Sequence, residues 1–137
     1  MNVTKCHELC VCCANGVGVG AELFARLVGL GANVIAFNGW EFEEQARFMI
    51  IVDEQVDQAR AAMEAQGYTV EYRTAIAVDL ANRPGSLVAL LRTLADANID
   101  VIRSYATGTT SKTTKVVLQT SDNQMAGHVI STIPGRA

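Results

Sequence analysis

"ANRPGSL" (residues 81–87) and "ANGVGVG" (residues 14–20) are two versions of one pattern, each placed between a short apolar run and a leucine-rich stretch. A shift of 67 positions lays Ala14 on Ala81, Asn15 on Asn82 and Gly18 on Gly85. The same shift lays Leu23 on Leu90, Leu27 on Leu94, Val34 on Val101 and Ile35 on Ile102. Self-similarity at a fixed period marks a repeated supersecondary unit. Whatever these turns join is therefore built twice.

Working outward from the turns, residues 8–13 and 75–80 read as apolar strands that lead into them. An amphipathic helix follows each turn. Leu87, Leu90, Leu91 and Leu94 form the i, i+3, i+4, i+7 stripe of a helix lying on a core, and Leu23, Phe24, Leu27 and Leu30 form the first copy's stripe. Gly31 and Asn98, which both tolerate left-handed backbone, stop these helices. Second strands are expected at 33–39 and 99–107, and third strands rich in β-branched residues at 48–52 and 115–120. Second helices follow at about 54–66 and 122–132. Gly67 ends the first of these, and "YTVEYR" (68–73) alternates like a half-buried strand.

That order is β-α-β-β-α-β, the ferredoxin-like arrangement. The fold class expected is α+β: two ferredoxin-like βαββαβ modules with antiparallel sheets, at residues 1–73 and 74–137. They would share an extended sheet or pack through a pseudo-twofold. The second module lacks a full fourth strand, because that strand should begin near position 135 and only "IPGRA" remains there. One side of the strand at 73–80 then needs cover, from the first module or from a second chain. This favours a homodimer.

Half of the 137 residues are apolar and 18% are charged, which is a globular composition. A net charge of −3 with scattered lysines and arginines excludes a basic nucleic-acid face. No run is long enough to span a membrane, and "MNVTKCHELCVCC" lacks the apolar core of a signal peptide. A cytoplasmic protein is expected, with Cys6, Cys10, Cys12 and Cys13 reduced.

The repeat, the element order and the phrase "DLANRPGSLVALLRTLADANIDVI" (79–102) together resemble the ACT domain family. These are small amino-acid-binding modules, usually attached to enzymes of amino-acid metabolism. The resemblance covers nearly the whole chain as two tandem modules. It implies a ligand held between the turn of one module and the start of the second strand of another. On that basis the binding residues are Asn82, Arg83, Pro84, Gly85, Ser86 and Leu87 from the second copy, with Asn33 and Val34 from the first. Asn33 stands where the family often has an asparagine, whereas the second copy has Asp100 there. The reciprocal combination of Asn15, Gly16, Val17 and Gly18 with Asp100 and Val101 is a second site, altered or empty. The implied function is a non-catalytic regulatory protein that binds a small amino acid and modulates a partner enzyme of amino-acid metabolism. Alternatives are a ligand-free interaction subunit with decayed sites, and a metal or redox module.

The chemistry of the turn suits such a ligand. Helix-start amides are unpaired and favour an anion. Gly85 removes a Cβ from the approach, and Pro84 fixes φ where an amide would be spare. An asparagine carboxamide both donates and accepts, so Asn82 and Asn33 suit a zwitterion, while an ionised Asp100 only accepts. Other groupings read as structure. "NGVGVG" lacks dinucleotide-loop spacing. Glu41, Glu43 and Glu44 fit a solvated hairpin, and "TGTTSKTT" (107–114) links strands. The cysteines beside His7 form the metal alternative, against the ordinary reading of cysteine as a small buried hydrophobe. No catalytic residue, cofactor or metal site is assigned.

Overall fold

A computed structural model describes residues 1–53, 55–108 and 110–134. The expected helix start at Glu54, Thr109 of the 107–114 loop and the tail 135–137 lie outside the described residues. The chain forms two compact units, one of His7–Arg73 and one of Met1–Cys6 with Thr74–Ala137. Its elements run β1 (Asn2–Ala14), α1 (Val19–Gly29), β2 (Val34–Phe42), β3 (Gln45–Val52), α2 (Val56–Ala65), β4 (Thr69–Ala81), α3 (Ser86–Asp96), β5 (Val101–Gly108), β6 (Thr113–Thr120) and α4 (Asn123–Ser131).

In the unit His7–Arg73 the strands lie in the order β2-β3-β1-β4. Alternation along the strands decides which residues meet the helices. Leu9 faces Ile50 and Val11 faces Phe48 across the antiparallel β1–β3 pair. Leu9, Val11, Ile50 and Val52 join Leu23 and Leu27 of α1 and Ala59 and Met63 of α2 in one buried cluster. Glu43 and Glu44 turn the β2–β3 hairpin with φ of 52° and 63°, as two-residue hairpins of this hand require. Both are exposed, and the Glu44 amide donates to Glu41 Oε1 at 2.8 Å. This is the solvated hairpin read from the sequence.

In the other unit the order is β1-β4-β6-β5. Ile76, Val78 and Leu80 of β4 pack with Leu90 and Leu94 of α3, Val116 and Leu118 of β6, and Ala126 and Ile130 of α4. The strand beside β4 in this unit is the first part of β1. Met1 and Val3 pack against this core together with Ile133, and the Met1 ammonium donates to the Ile133 carbonyl. Asn2 Nδ2 donates to Asp79 Oδ2 at 3.2 Å, while Lys115 Nζ donates to Asp79 Oδ1 at 2.8 Å. One carboxylate thus ties three neighbouring strands.

The expected division at residue 73 put Met1–Cys6 with the first module, whereas these residues belong to the compact unit containing Thr74–Ala137. The strands expected separately at 68–73 and 75–80 are one continuous strand, because no breaker interrupts Thr69–Ala81. The side of β4 expected to need cover, from the first module or from a second chain, is covered by Asn2–Cys6 of the same chain, which removes that ground for a homodimer.

Two substitutions test the completing strand. Val3→Asp sets a charge against the second core and is expected to cost about 1–3 kcal/mol in urea unfolding, whereas Val17→Asp, at a fully exposed site, stays within about 0.5 kcal/mol. Asp79→Asn is expected to cost about 0.2–1 kcal/mol at pH 7, because the Asp79 carboxylate is a third exposed and screened by solvent. The Lys115 hydrogen bond, acting against some burial, holds the Asp79 carboxyl below the ordinary carboxylate range. Its contribution is therefore present above the unfolded carboxylate pKa and lost as pH falls through the lower folded value. The wild-type advantage over Asp79→Asn should vanish in acid.

Candidate functional site

The two turns have the same backbone. Gly18 and Gly85 precede α1 and α3 with φ of 85° and 92°. The Val19 amide donates to the Gly16 carbonyl and the Ser86 amide to that of Arg83, at 3.3 and 3.4 Å. Glu22 donates to Gly18 and Ala89 to Gly85, at 3.1 and 2.9 Å. The stops match as well, with positive φ at Gly31 (74°) and Asn98 (57°). Left-handed backbone explains the shared glycine, since a Cβ added at Gly18 or Gly85 would meet nothing within 4 Å. Gly85 is thus required by conformation, not by crowding at the approach. Pro84 stands just before the N-cap Gly85, and Ser86 is the first helical residue.

The side chains around the turns differ. Asn82, Arg83, Pro84 and Gly85 are exposed, Ser86 is buried and Leu87 is half exposed. Beside them an open cleft of about 390 Å³ is lined by Asn82, Arg83, Ser86 and Leu87, by Ser104, Tyr105 and Ala106 of β5, and by Leu80, Ala81, Thr114 and Val116. Its lining is mostly apolar, with hydroxyls, a carboxamide and a guanidinium among it. The Asn82 amide group also has a structural duty, because Nδ2 donates to the Ser111 carbonyl at 3.2 Å and its backbone amide to Lys112 at 2.8 Å.

In the His7–Arg73 unit the same ground is occupied. The pair Gly39↔Phe48 stands where the second unit has Ala106↔Val116, and Phe37↔Ile50 where it has Ser104↔Leu118. The Phe48 ring lies so close that a Cβ on Gly39 would come within 2.9 Å of it and one on Gly20 within 3.6 Å. Phe24 packs on Phe37 and edge-on to Phe48, with centroids 5.0 and 5.9 Å apart. Asn15, Gly16, Val17 and Gly18 are exposed.

Asn33 is exposed in its own unit, and its Nδ2 donates to Asp53 Oδ2 at 3.4 Å. Its counterpart Asp100 accepts from Ser121 through the carbonyl and donates to Ser121 Oγ through the amide, each at 2.9 Å. Asn33, Val34, Asp100 and Val101 do not line the cleft. The β5 wall of Ser104–Ala106 was missed by sequence reading. The 67-residue alignment carried part of the signal, since it sets Ser104 on Phe37, an exchange of aromatic bulk for a small residue.

The four cysteines are all half-buried and none is in a disulfide. Among the described residues no three His, Cys, Asp or Glu side chains are placed to share a metal ion. Cys10 Sγ lies 3.7 Å from Oε1 of the buried Glu8, and burial followed by the Glu8 charge pushes its thiol up to about 12. Burial likewise raises Cys13. No helix among the described residues is long and apolar enough to cross a membrane.

Comparison with protein-family models and with curated proteins gave no match. Solved structures do match. The chain is similar to protein BT0572 from Bacteroides thetaiotaomicron, at 20% identity and a TM-score of 0.85, over 96% of this chain and 90% of that one. It is also similar to the ligand-free regulatory subunit of aspartate kinase from Thermus thermophilus, at 14% identity and 0.70, over 98% and 99%. The regulatory subunit of aspartate kinase from Thermus flavus follows at 14% and 0.64, over 96% and 95%. These likenesses establish a shared fold along nearly the full length of each chain.

Gly85→Ala is expected to cost about 1–2 kcal/mol in chemical denaturation, and Gly85→Asn less, because only the left-handed backbone is at stake. Cys10 should be alkylated by iodoacetamide at pH 8 roughly a thousandfold more slowly than a free cysteine, read by peptide mass spectrometry.

Proposed function

We propose that this chain is a non-catalytic regulatory protein that binds a small amino acid in the cleft beside Asn82–Leu87 and modulates a partner enzyme of amino-acid metabolism. The observation that carries this reading is the cleft itself, a mostly apolar hollow of about 390 Å³ at a helix start with a few polar groups in its lining. The amides of Leu87 and Val88 precede the first internal bond of α3, from Ala89 to Gly85. Such amides favour a carboxylate, and Arg83 adds a cation. Ser104 and Asn82 Oδ1 accept from an ammonium. Leu80, Leu87 and Val116 then suit a short apolar side chain.

The full-length likeness to regulatory subunits of aspartate kinase supports a regulatory role for the fold. The cytoplasm fits four cysteines that form no disulfide. A homodimer enters on a ground of its own: β2 is the outermost strand of its unit and exposes Phe37, Trp40 and Phe42.

Thermal-shift screening of the common amino acids tests the reading. A ligand at a hundred times its Kd should stabilise the protein by about 2.7 kcal/mol. Ser104→Trp, which fills the cleft, should abolish that shift, and Arg83→Ala should weaken it. Asn33→Ala should leave it unchanged if the cleft alone holds the ligand. No shift with any amino acid would refute the proposal.

A further inference from the structure

We infer that Phe48 is a built-in occupant of the first unit's cleft, so that the chain takes up its ligand in the second unit only. This inference rests on the proposed function, which it deepens by assigning one ligand to a chain that carries two equivalent turns.

Strand register makes the equivalence strict. Gly39↔Phe48 and Ala106↔Val116 are the same pair in the two units, and each lies beside a left-handed glycine that opens a helix. In the second unit Leu87, Ala106 and Val116 line an open cleft. In the first unit the matching residues are Gly20, Gly39 and Phe48, and the Phe48 ring fills the space over both glycines. The three positions form one steric set. A Cβ on Gly39 would stand 2.9 Å from the ring, closer than real Cβ atoms come to a neighbour, so the ring's seat requires glycine there. Phe24 closes edge-on from α1, with its centroid 5.9 Å from that of Phe48. A partly buried aromatic held this way is not displaced by a weakly bound solute without exposing more of its apolar surface. The first turn keeps the backbone of a binding turn and loses the room beneath it.

The test is residue-resolved amide NMR of the full chain titrated with the common amino acids, one at a time. Wild type should show saturable shifts at Asn82–Leu87 and Ser104–Ala106, with Asn15–Gly20 silent. Phe48→Val, which installs the second unit's residue, should add saturable shifts at Asn15–Gly20 and Phe37–Gly39. If Phe48→Val fails to give a dispersed spectrum, Phe48→Leu keeps more apolar volume and serves instead. Saturable shifts at the first turn of wild type would overturn the inference, as would a silent first turn in a folded Phe48 variant. A silent second turn in wild type refutes the proposed function. If the first turn of the variant then responds, the occupant role of Phe48 still stands. Silence everywhere overturns both.

Discussion

The edge of β4 is the constraint on which the second unit depends. Residues 74–81 carry Ile76, Val78 and Leu80 into the core, and their outer side would present a row of unpaired backbone groups. The chain meets this need with its own beginning. Asn2–Cys6 lies along that edge, Val3 and Met1 extend the core, and Asn2, Asp79 and Lys115 join across three strands. Because β1 and β4 are each continuous over 13 residues, the same strands serve the other unit with their remaining halves. There, His7 stacks on Tyr72 with ring centroids 5.3 Å apart. Two compact units are thereby completed from a sequence that spells out only one fourth strand.

Within that frame the two helix starts have kept their backbone and diverged in their side chains. The positive φ at Gly18 and Gly85, and again at Gly31 and Asn98, preserves the geometry of both joints. What changed is volume. Phe24, Phe37 and Phe48 pack together in one unit, where the other has Leu91, Ser104 and Val116. An aromatic ring contributes more burial than a valine, so the first unit gains apolar contact where the second keeps a hollow. A packed aromatic group and an open hollow are alternative uses of the same ground.

Much of this was legible in the residues. The leucine stripes predicted α1 and α3, and Gly31 and Asn98 predicted their stops. The β-branched runs predicted β3 and β6. These signals are local: side-chain periodicity and backbone freedom act over a few residues. The role of Met1–Cys6 was not legible, because "NVTKC" carries no mark of which edge it will pair with, some 70 residues away. The cleft was half legible. "NRPGSL" announced its turn, but its far wall comes from β5, and only strand pairing brings Ser104–Ala106 to that place. The purpose of Gly85 also shifted, from clearing an approach to holding a left-handed φ.

The sequence by itself determined the repeat, the order of elements and the two glycine-opened helix starts, since those follow from local periodicity and backbone sterics. Tertiary structure alone decided which strand completes the second unit and which of the two turns has room beneath it. Both depend on residues far apart in the chain, on an edge seeking a partner and on whether a ring at position 48 or a valine at position 116 faces the turn.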